Sequence, residues 1–452
     1  MVAFVHRCLE RFHVTPAIAW SISGTLLSGL TGPVVALLIA QKCSLEMQGY
    51  YYTFNSLLAL SVFLELGFNN CIVQFISHEY AFLGMENGLI KQAATRTMGR
   101  LASLVRLSLK WYLFAAILLF IGVGFAGELF FRHNSGESWV AWRGPWWCLC
   151  ALSAINLLIL PLSALLEGCD QVDWTSRARI FQNIGRSTIL IAGLSFGLGL
   201  YAPAAATLSA LLIYLIQFNA KWRELFHQVR TFPVEEKISW IQEILPFQWR
   251  IAVSWASGFF IFSLFNPLLF AYAGKKVAGQ FGMTWAILSA VSSLSQSFVN
   301  TRAPRFAALI ARKEWAELRR LWKTALFQAI GLSFLGTGVF LTLVQGLSYF
   351  NHPLRDRLSS LNVIILFSIA GLINQAVFTI ATVARAEKKE PFAGISVVVA
   401  LITATGSYFT VKTHAESGLA YSYLLATSIG AVVAWKILQR TALYRGGQPI
   451  SK

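Results

Sequence analysis

The sequence predicts an all-α polytopic membrane protein with about 12 transmembrane helices, arranged as two six-helix lobes around a central cavity. Three observations carry this prediction. Hydrophobic residues make up 56% of the 452 residues and charged residues only 13%, against roughly 25% charged in a soluble domain. The apolar runs are about twenty residues long, which is the length that a helix needs to cross a hydrocarbon core of roughly 30 Å. The basic residues concentrate in alternate connections between these runs, as in a chain that crosses a bilayer repeatedly.

The spanning elements are predicted to be helices rather than the strands of a barrel. Lipid admits only these two, because every backbone polar group must be satisfied internally. A barrel would show segments of about ten residues that alternate in polarity, and the apolar runs here are twice as long. We predict spans over residues 17–40, 50–76, 111–131, 145–168, 180–200, 203–220, 247–273, 280–300, 325–347, 362–384, 392–411 and 418–437.

The first of these spans is predicted to stay in the mature protein. Arg7 and Arg11 precede it, as basic residues precede the apolar region of a signal peptide. The apolar stretch from Ala17 to Ala40 is too long for such a region, and no small-residue cleavage site closes it. We therefore expect an uncleaved first span.

The distribution of Lys and Arg predicts the orientation. With the N-terminus inside, 29 of the 37 basic residues lie in inner segments, and the outer loops hold the other eight, with at most two in any loop. By the positive-inside rule both termini face the cytoplasm, and an even number of spans follows. The formal charge of +17 therefore reflects topology, and we predict no nucleic-acid partner.

A faint internal repeat predicts the two lobes. The Gly49-Tyr-Tyr-Tyr segment falls, after a shift of 230 positions, on Gly279-Gln-Phe-Gly, and Asn70 falls on Asn300. A shift of 229 places Ser21, Thr25 and Ser28 on Arg250, Ser254 and Ser257. Two halves of six helices share their orientation, as in transporters that rock two bundles around a cavity. We therefore predict an N-terminal lobe over 1–222, a cytoplasmic linker over 223–246 and a C-terminal lobe over 247–452.

Glu65 is the only carboxylate well inside a predicted span. Asn69 stands one helical turn after it and Ser61 one turn before it, so the three share a polar face. A buried carboxylate in lipid costs several kcal/mol and should face a cavity or a partner. Three interpretations remain open: a site for proton or cation coupling that includes Asn69, a sensor of substrate position, or a structural pair with a basic or amide group on a neighbouring helix.

Cations and amides in the second half predict a polar cavity. Arg250 begins the seventh span below Ser254 and Ser257 on the same face, where a guanidinium fork suits a phosphate or diphosphate. It could equally be an anchor that snorkels to the headgroups. The eighth span carries a polar stripe followed by Arg302: Ser289, Ser293, Gln296 and Asn300. Asn266 adds an amide at depth, beside Pro267, which should kink its helix.

Residues 312–323 form an amphipathic segment before the ninth predicted span. Trp315, Leu318 and Trp322 share one helical face. Such a helix can lie at headgroup level with its aromatic residues in lipid. It can also be the solvated start of the next span, and the pattern leaves both interpretations open.

Several chemical motifs do not occur in the sequence. It lacks a G-x-x-x-x-G-K-[ST] phosphate loop, an H-E-x-x-H motif, a nucleophile elbow and a Cys/His cluster. Four of the six cysteines, Cys71, Cys148, Cys150 and Cys169, lie in or at the end of apolar stretches and are interpreted as packing residues. No outer loop is long enough for a catalytic domain. We therefore predict no enzyme activity, no cofactor and no metal.

Three segments resemble a known family. The run QGYYYTFNSLLALSVFLELGF, from Gln48 to Phe68, resembles the second span of bacterial polysaccharide flippases, in which a G-x-Y opening precedes an acidic-Leu-Gly motif. PLSALLEG over 161–168, followed by Arg177 and Arg179, is similar to the end of their fourth span. PRFAAL over 304–309 is similar to the segment after their eighth. The resemblance covers most of the chain and points to the superfamily of multidrug, oligosaccharidyl-lipid and polysaccharide exporters.

This resemblance implies a V-shaped pair of six-helix lobes that work by alternating access. The expected cargo is an undecaprenyl-diphosphate-linked oligosaccharide, moved from the inner to the outer leaflet of a bacterial inner membrane for surface polysaccharide such as O-antigen. The partners implied are this lipid-linked substrate, membrane lipid, and polysaccharide polymerase or assembly proteins. Cavity cations in the family meet the diphosphate, a role that falls here on Arg250 and Arg302. The predicted substrate site comprises Arg250, Arg302, Asn70, Asn300, Gln296 and Asn266, with ion coupling at Glu65 and Asn69.

Two other functions are weighed against the flippase. The first is a cation-coupled exporter of drugs or small amphiphiles from the same superfamily. The absence of a charged residue between Ala17 and Ala40 counts against such an exporter using an acid in its first span. The second is an assembly partner in the membrane that transports nothing.

Overall fold

The computed structural model describes residues 24, 31–86, 88–90, 95–136, 139–234, 238–386 and 391–440, with the backbone only at Thr95, Phe247 and Arg250. Helices make up nearly all of these residues. A small antiparallel hairpin pairs β1 (Met85–Glu86) with β2 (Leu89–Ile90). Most of the first predicted span lies outside the described residues.

The helices of the N-terminal part are α1 (31–42), α2 (Leu45–Leu58), α3 (Val62–Glu65), α4 (Phe68–Tyr80), α5 (Thr95–Leu118), α6 (Gly124–Asn134), α7 (Arg143–Leu157), α8 (Leu160–Gly168), α9 (Val172–Ser195) and α10 (Ala202–Thr231). Short 3₁₀ turns lie at Ala59–Ser61 and Gly199–Tyr201, and a π-helical turn lies at Leu119–Val123.

The helices of the C-terminal part are α11 (Leu245–Phe262), α12 (Phe265–Tyr272), α13 (Lys275–Asn300), α14 (Ala303–Arg312), α15 (Trp315–Tyr349), α16 (Leu361–Ala386) and α17 (Ala393–Gln439). A π-helical turn at Trp240–Ile244 precedes α11, and a 3₁₀ turn at Pro353–Arg357 precedes α16.

The described chain crosses a membrane many times. Eight of its helical stretches are long and apolar enough to span, and a ninth is formed if the bent pair Leu45–Glu65 and Phe68–Tyr80 counts as one. One of the eight, α17, contains two of the predicted spans, 392–411 and 418–437. Its backbone leaves the helical conformation between them, at Ala415 (φ 47°, ψ −127°). The predicted fifth span corresponds to α9.

The chain forms two compact units. Among the described residues, the first consists of residue 24 and those within 58–255, and the second of those within 31–57 and 256–440. The helix α1 and nearly all of α2 therefore group with the C-terminal half, although the sequence placed them in a lobe over 1–222. The division at residues 255 and 256 falls inside α11 rather than in the expected linker over 223–246.

That linker region is tied to α5 within the first unit. The helix α10 continues to Thr231, and its last carbonyls are capped by Arg106, which donates to Arg230 O at 2.8 Å and to Phe232 O at 2.6 Å. Further along, the Ser103 hydroxyl oxygen accepts a hydrogen bond from the Ile238 amide at 3.1 Å. The segment is thus fixed by side chains of α5 rather than free in solvent.

In the first unit, close packing depends on glycines that face Trp146. This side chain is fully buried, and its Nε1 donates to Gly124 O at 2.9 Å. A Cβ added to Gly127 would lie 2.1 Å from the Trp146 ring, so only glycine fits. Gly124 directly follows the π-helical turn Leu119–Val123, and the Trp146 indole is the hydrogen-bond donor for the Gly124 carbonyl.

In the second unit, an aromatic cluster fills the space between α12, α13, α16 and α17. Its rings lie 5.1–6.1 Å apart and belong to Phe265, Phe281, Trp285, Phe367 and Tyr423. The α-helical hydrogen-bonding pattern is interrupted between α11 and α12, just before Pro267. Proline lacks the N–H that would bond the carbonyl four residues earlier, so the interruption lies where the kink is predicted, and the bend itself stays a prediction.

The amphipathic face of residues 312–323 is buried against protein. Leu318 and Trp322 are 0% and 3% exposed and belong to one apolar cluster with Phe306 and Leu309 of α14. Trp315 packs against the same cluster and begins α15, a single 35-residue helix. The segment is the start of α15, as the second interpretation holds, but its apolar face is packed against α14 and is not solvated. The prediction that these side chains lie in lipid is wrong for Leu318 and Trp322.

Candidate functional site

The second span is broken next to Glu65. Leu66 and Gly67 both have left-handed backbones, with φ of 46° and 69°, and α3 and α4 meet there in a pair bent by 41°. A Cβ on Gly67 would lie 2.4 Å from Ile251 Cγ2, so glycine is required by both conformation and space. Trp111 Nε1 donates to Leu64 O at 3.1 Å and so satisfies a carbonyl that the break leaves without a helical partner. The acidic-Leu-Gly motif therefore encodes a discontinuity in the helix.

Glu65 is the last residue before the break and is half-buried. No ion pair or hydrogen bond joins its carboxylate to a side chain that the structure describes. It lies close enough to Tyr112 to interact electrostatically, and the Tyr112 hydroxyl is buried beside the Asn69 backbone. Asn69 Oδ1 is buried without a hydrogen-bond partner among the described residues. A carboxylate and a bare amide oxygen near a helix break are groups that a proton or a small cation would satisfy.

The helix α4, which follows the break along the chain, has an exposed polar face. Asn70, Gln74, Ser77 and His78 are exposed, while the opposite face of α4 packs against α8 and α5. A cavity of about 400 Å³ is lined by Gln74, Phe75, His78, Glu79 and Arg100. The sequence analysis identified only Asn70 on this face. The other polar residues of this face follow Asn70 at a spacing of three and four residues, up to His78. This helical spacing could have identified them from the sequence.

An ionic triad closes the base of this cavity. Arg100 Nε lies 2.9 Å from Glu79 Oε1, and its Nη2 lies 2.8 Å from Glu243 Oε2. Glu243 Oε1 also accepts the Ser239 amide at 3.0 Å. The guanidinium thus joins α4 and α5 to the turn that precedes α11, and its charge is neutralised there. Sequence reasoning missed this triad, because its members come from three distant segments.

The backbone of Arg250 lies in α11, one residue before Ile251. Since Ile251 packs against Gly67, the fold brings the start of α11 to the break beside Glu65. The Arg250 side chain lies outside the described part of the chain. Its cavity role stays a prediction.

In the second unit, Gln296 links the stripe on α13 to α16. Gln296 Oε1 accepts a hydrogen bond from Gln375 Nε2 at 3.0 Å, and Gln296 Nε2 lies 3.3 Å from Asn300 Oδ1 and 3.4 Å from Thr382 Oγ1. Gln375 is fully buried. Ser293 and Asn300 are exposed, so the stripe is partly a contact between helices and partly an open polar face.

The remaining predicted site residues lie apart from this stripe. Asn266 is 5% exposed, and its Oδ1 is buried without a partner among the described residues. Phe265, the residue before Asn266, packs against the ring of Tyr423. The Tyr423 hydroxyl accepts a hydrogen bond from Asn374 Nδ2 at 2.5 Å. Arg302 donates through Nη2 to Gln328 Oε1 of α15. Its guanidinium is thus directed at α15, and the predicted substrate contact of Arg302 stays a prediction.

Solved structures with the same fold belong to membrane transporters. The chain matches the MATE multidrug transporter DinF-BH at a TM-score of 0.64 and 13% identity, over 95% of each chain. It matches the lipid II flippase MurJ in an inward closed conformation at a TM-score of 0.64 and 14% identity, over 93% of this chain and 87% of that one. This chain has the fold of these transporters.

A third similar structure is a MOP superfamily transporter from Pyrococcus furiosus, with a TM-score of 0.60, 14% identity and coverage of 95% and 94%. The reverse polarity of its binding pocket suggests a different function for that protein. No family model matches the sequence, and no curated protein matches it. The predicted all-α polytopic fold with about twelve spans is confirmed.

Proposed function

We propose that this chain is a flippase that moves an undecaprenyl-diphosphate-linked oligosaccharide from the inner to the outer leaflet by alternating access. The observation that carries the proposal is the exposed polar face of α4 after the break, from Asn70 to His78, at the end of the second predicted span. A charged, hydrated headgroup cannot cross lipid alone and needs such a polar route, while a polyprenyl tail can stay in lipid.

The fold supports transport rather than another membrane function. Its solved neighbours include a lipid II flippase, whose substrate is said of that protein and not of this chain. The excess of basic residues on the predicted cytoplasmic side suits a diphosphate that arrives from the inner leaflet. Arg250, at the start of α11 beside the break, is the cation that we assign to the diphosphate.

The direct test is translocation of a fluorescent undecaprenyl-diphosphate-linked oligosaccharide in vesicles that contain the purified protein. We expect transfer that depends on the protein and falls at least tenfold in Arg250→Ala, since one charge-assisted contact to phosphate contributes about 1.5–3 kcal/mol. Arg223→Ala is the matched control, because Arg223 is an exposed cation of α10 in the same unit. Equal loss in both variants, or no transfer by the unmodified protein, would contradict the proposal.

A cation-coupled exporter of small amphiphiles is the second candidate. It is favoured by the half-buried carboxylate of Glu65, by Asn69 Oδ1, which is buried without a hydrogen-bond partner among the described residues, and by the likeness to a MATE multidrug transporter. Deletion of the gene separates the two functions. Loss of surface polysaccharide with unchanged drug susceptibility supports the flippase, whereas sensitivity to cationic dyes with intact surface glycan supports the exporter. Vesicles in which the protein neither binds nor moves labelled glycolipid or dye would support an assembly role instead.

A further inference from the structure

A basic cleft lies between α14 and the first turns of α15. It has a volume of about 500 Å³ and is lined by Arg305, Ala316, Glu317, Arg320, Leu321 and Thr324. The two helices face each other because Phe306 and Leu309 of α14 pack with Leu318 and Trp322 of α15. Their polar faces are left on the outside, and the cleft runs between them.

The position of the cleft along α15 places it at the depth of lipid headgroups. The belt of α15 that is exposed and apolar begins at Phe327, which is 72% exposed, and continues through Phe334 and Leu335, each 64% exposed. Arg320 precedes Phe327 by seven residues, which is about 10 Å along a helix axis. A cation one to two turns beyond the apolar belt lies where lipid phosphates lie.

The charges in and beside the cleft are not balanced. Arg305 is paired with Glu317 at 2.5 Å, which uses the one carboxylate in the lining. Arg320 forms no ion pair with any residue that the structure describes. Arg302 interacts electrostatically with Arg305, and its Nη1 is buried without a hydrogen-bond partner among the described residues. An anion in the cleft would relieve the repulsion among these guanidinium groups.

We propose that the α14–α15 cleft binds the phosphate headgroup of an anionic phospholipid from the adjacent leaflet. A phosphate monoanion matches the guanidinium of Arg320, and the apolar lining of Ala316 and Leu321 suits the glycerol and first methylenes of a lipid rather than a free ion. The site is separate from the polar face of α4, and it holds a resident lipid whichever molecule is transported.

Lipid binding to the purified protein in detergent tests this site by native mass spectrometry. We expect phosphatidylglycerol to remain bound where phosphatidylcholine does not, and Arg320→Gln to weaken its retention roughly tenfold. Arg312→Gln is the matched control, because Arg312 is an exposed cation of α14 outside the lining. Thermal unfolding without lipid checks that both variants fold alike, and Thr324→Ala serves as a second lining variant if Arg320→Gln fails that check.

Two results would overturn the proposal. Equal weakening in Arg320→Gln and Arg312→Gln would mean that the whole basic segment attracts anionic lipid without a site. Displacement of phosphatidylglycerol by inorganic phosphate at equal concentration would mean that the cleft binds a free anion. Neither readout measures transport, so the outcome is independent of the proposed flippase activity.

Discussion

Gly49 and Gly279 pack backbone against backbone in the second unit. A Cβ on Gly279 would lie 2.8 Å from Gly49 N, and a Cβ on Gly49 would lie 2.0 Å from Lys275 O. The two glycines are the positions that the internal repeat matches at a shift of 230 residues. Tyr52 and Gly282 share this shift and also touch, since a Cβ on Gly282 would lie 2.4 Å from Tyr52 Cβ. Positions that the proposed repeat matches therefore contact each other where α2 crosses α13.

Polar contacts reinforce this helix crossing. Gln48 is fully buried, and its Nε2 donates to Gly279 O at 2.8 Å and to Arg357 O at 3.1 Å. Arg357 in turn donates to Cys43 O at 2.7 Å, and Lys275 pairs with Glu46 at 3.0 Å. These contacts hold α2 against α13 at the end that is predicted to face outward.

Gly279→Ala is expected to weaken the contact between α2 and α13. The new methyl group would meet backbone atoms that cannot move aside, and such overpacking costs about 1–3 kcal/mol. We expect a lower apparent melting temperature in detergent. Gly331→Ala is the matched control, because Gly331 lies in α15 with nothing within 4 Å of an added Cβ and should be neutral or stabilising. An unchanged melting temperature for Gly279→Ala would show that the helices do not pack this closely.

Cys43 reports on the same contact through its reactivity. Burial raises the pKa of the Cys43 thiol, so little thiolate is present at neutral pH, and labelling by a maleimide should be slow and should accelerate as the pH rises. The charge of Arg357 also lowers the pKa of this thiol, so Arg357→Gln both removes the contact to Cys43 O and leaves less thiolate. We expect labelling faster than in the unmodified protein only at high pH, where ionisation no longer limits the rate and access to the thiol does. Peptide mass spectrometry separates Cys43 from the exposed Cys148.

Arg355→Gln is the control for this labelling experiment. Arg355 lies in the same 3₁₀ turn but donates to Ser348 Oγ and Ser359 O, away from Cys43. Equal acceleration in both variants would mean that the turn as a whole loosens. That result would contradict the prediction that the hydrogen bond from Arg357 to Cys43 O specifically protects the Cys43 thiol.

The sequence predicted the helices and the repeat better than it predicted their contacts. Hydropathy and charge depend on each residue alone, so the spans were accessible. The predicted repeat matches Gly49 with Gly279 at a shift of 230 residues, but a sequence match carries no distance. The grouping of residues 28–57 with the C-terminal half depends on contacts such as Gln48 with Gly279, which no local pattern encodes.

The candidate site was predicted in part for a similar reason. Glu65 and Asn69 stood out because a carboxylate and an amide are rare within an apolar run. The break at Leu66–Gly67 was not predicted, since left-handed backbone at a leucine is uncommon and needs surrounding structure to hold it. The apolar face of Trp315 and Trp322 was ambiguous because burial in lipid and burial in protein select the same side chains.

Glu65→Gln separates ion coupling from a structural role. The amide keeps the size and most hydrogen bonds of the carboxylate but cannot carry a proton or a negative charge. If Glu65 couples transport to a cation, transport in vesicles should lose its dependence on an imposed pH or sodium gradient while the protein melts at the same temperature. Asn55→Ala is a control for loss of a polar group in the same span, since the described hydrogen bonds of the Asn55 side chain are local ones to Tyr51, including one to Tyr51 O at 3.0 Å. A destabilised protein with an intact gradient response would instead support the structural pair.

Gly67→Ala should be among the most harmful substitutions near the site. The residue must keep a left-handed backbone at φ 69°, which costs alanine about 1 kcal/mol more than glycine, and its Cβ would overlap Ile251 Cγ2, which adds about 1–3 kcal/mol. The two causes can be separated by the double variant Gly67→Ala with Ile251→Ala, compared with Ile251→Ala alone. We expect removal of the isoleucine side chain to relieve the overlap, so that only the smaller backbone cost of Gly67→Ala remains. Thermal unfolding measures this difference in stability. Full recovery would show that α3 and α4 tolerate another backbone at the break, and no recovery would show that α11 does not pack against it.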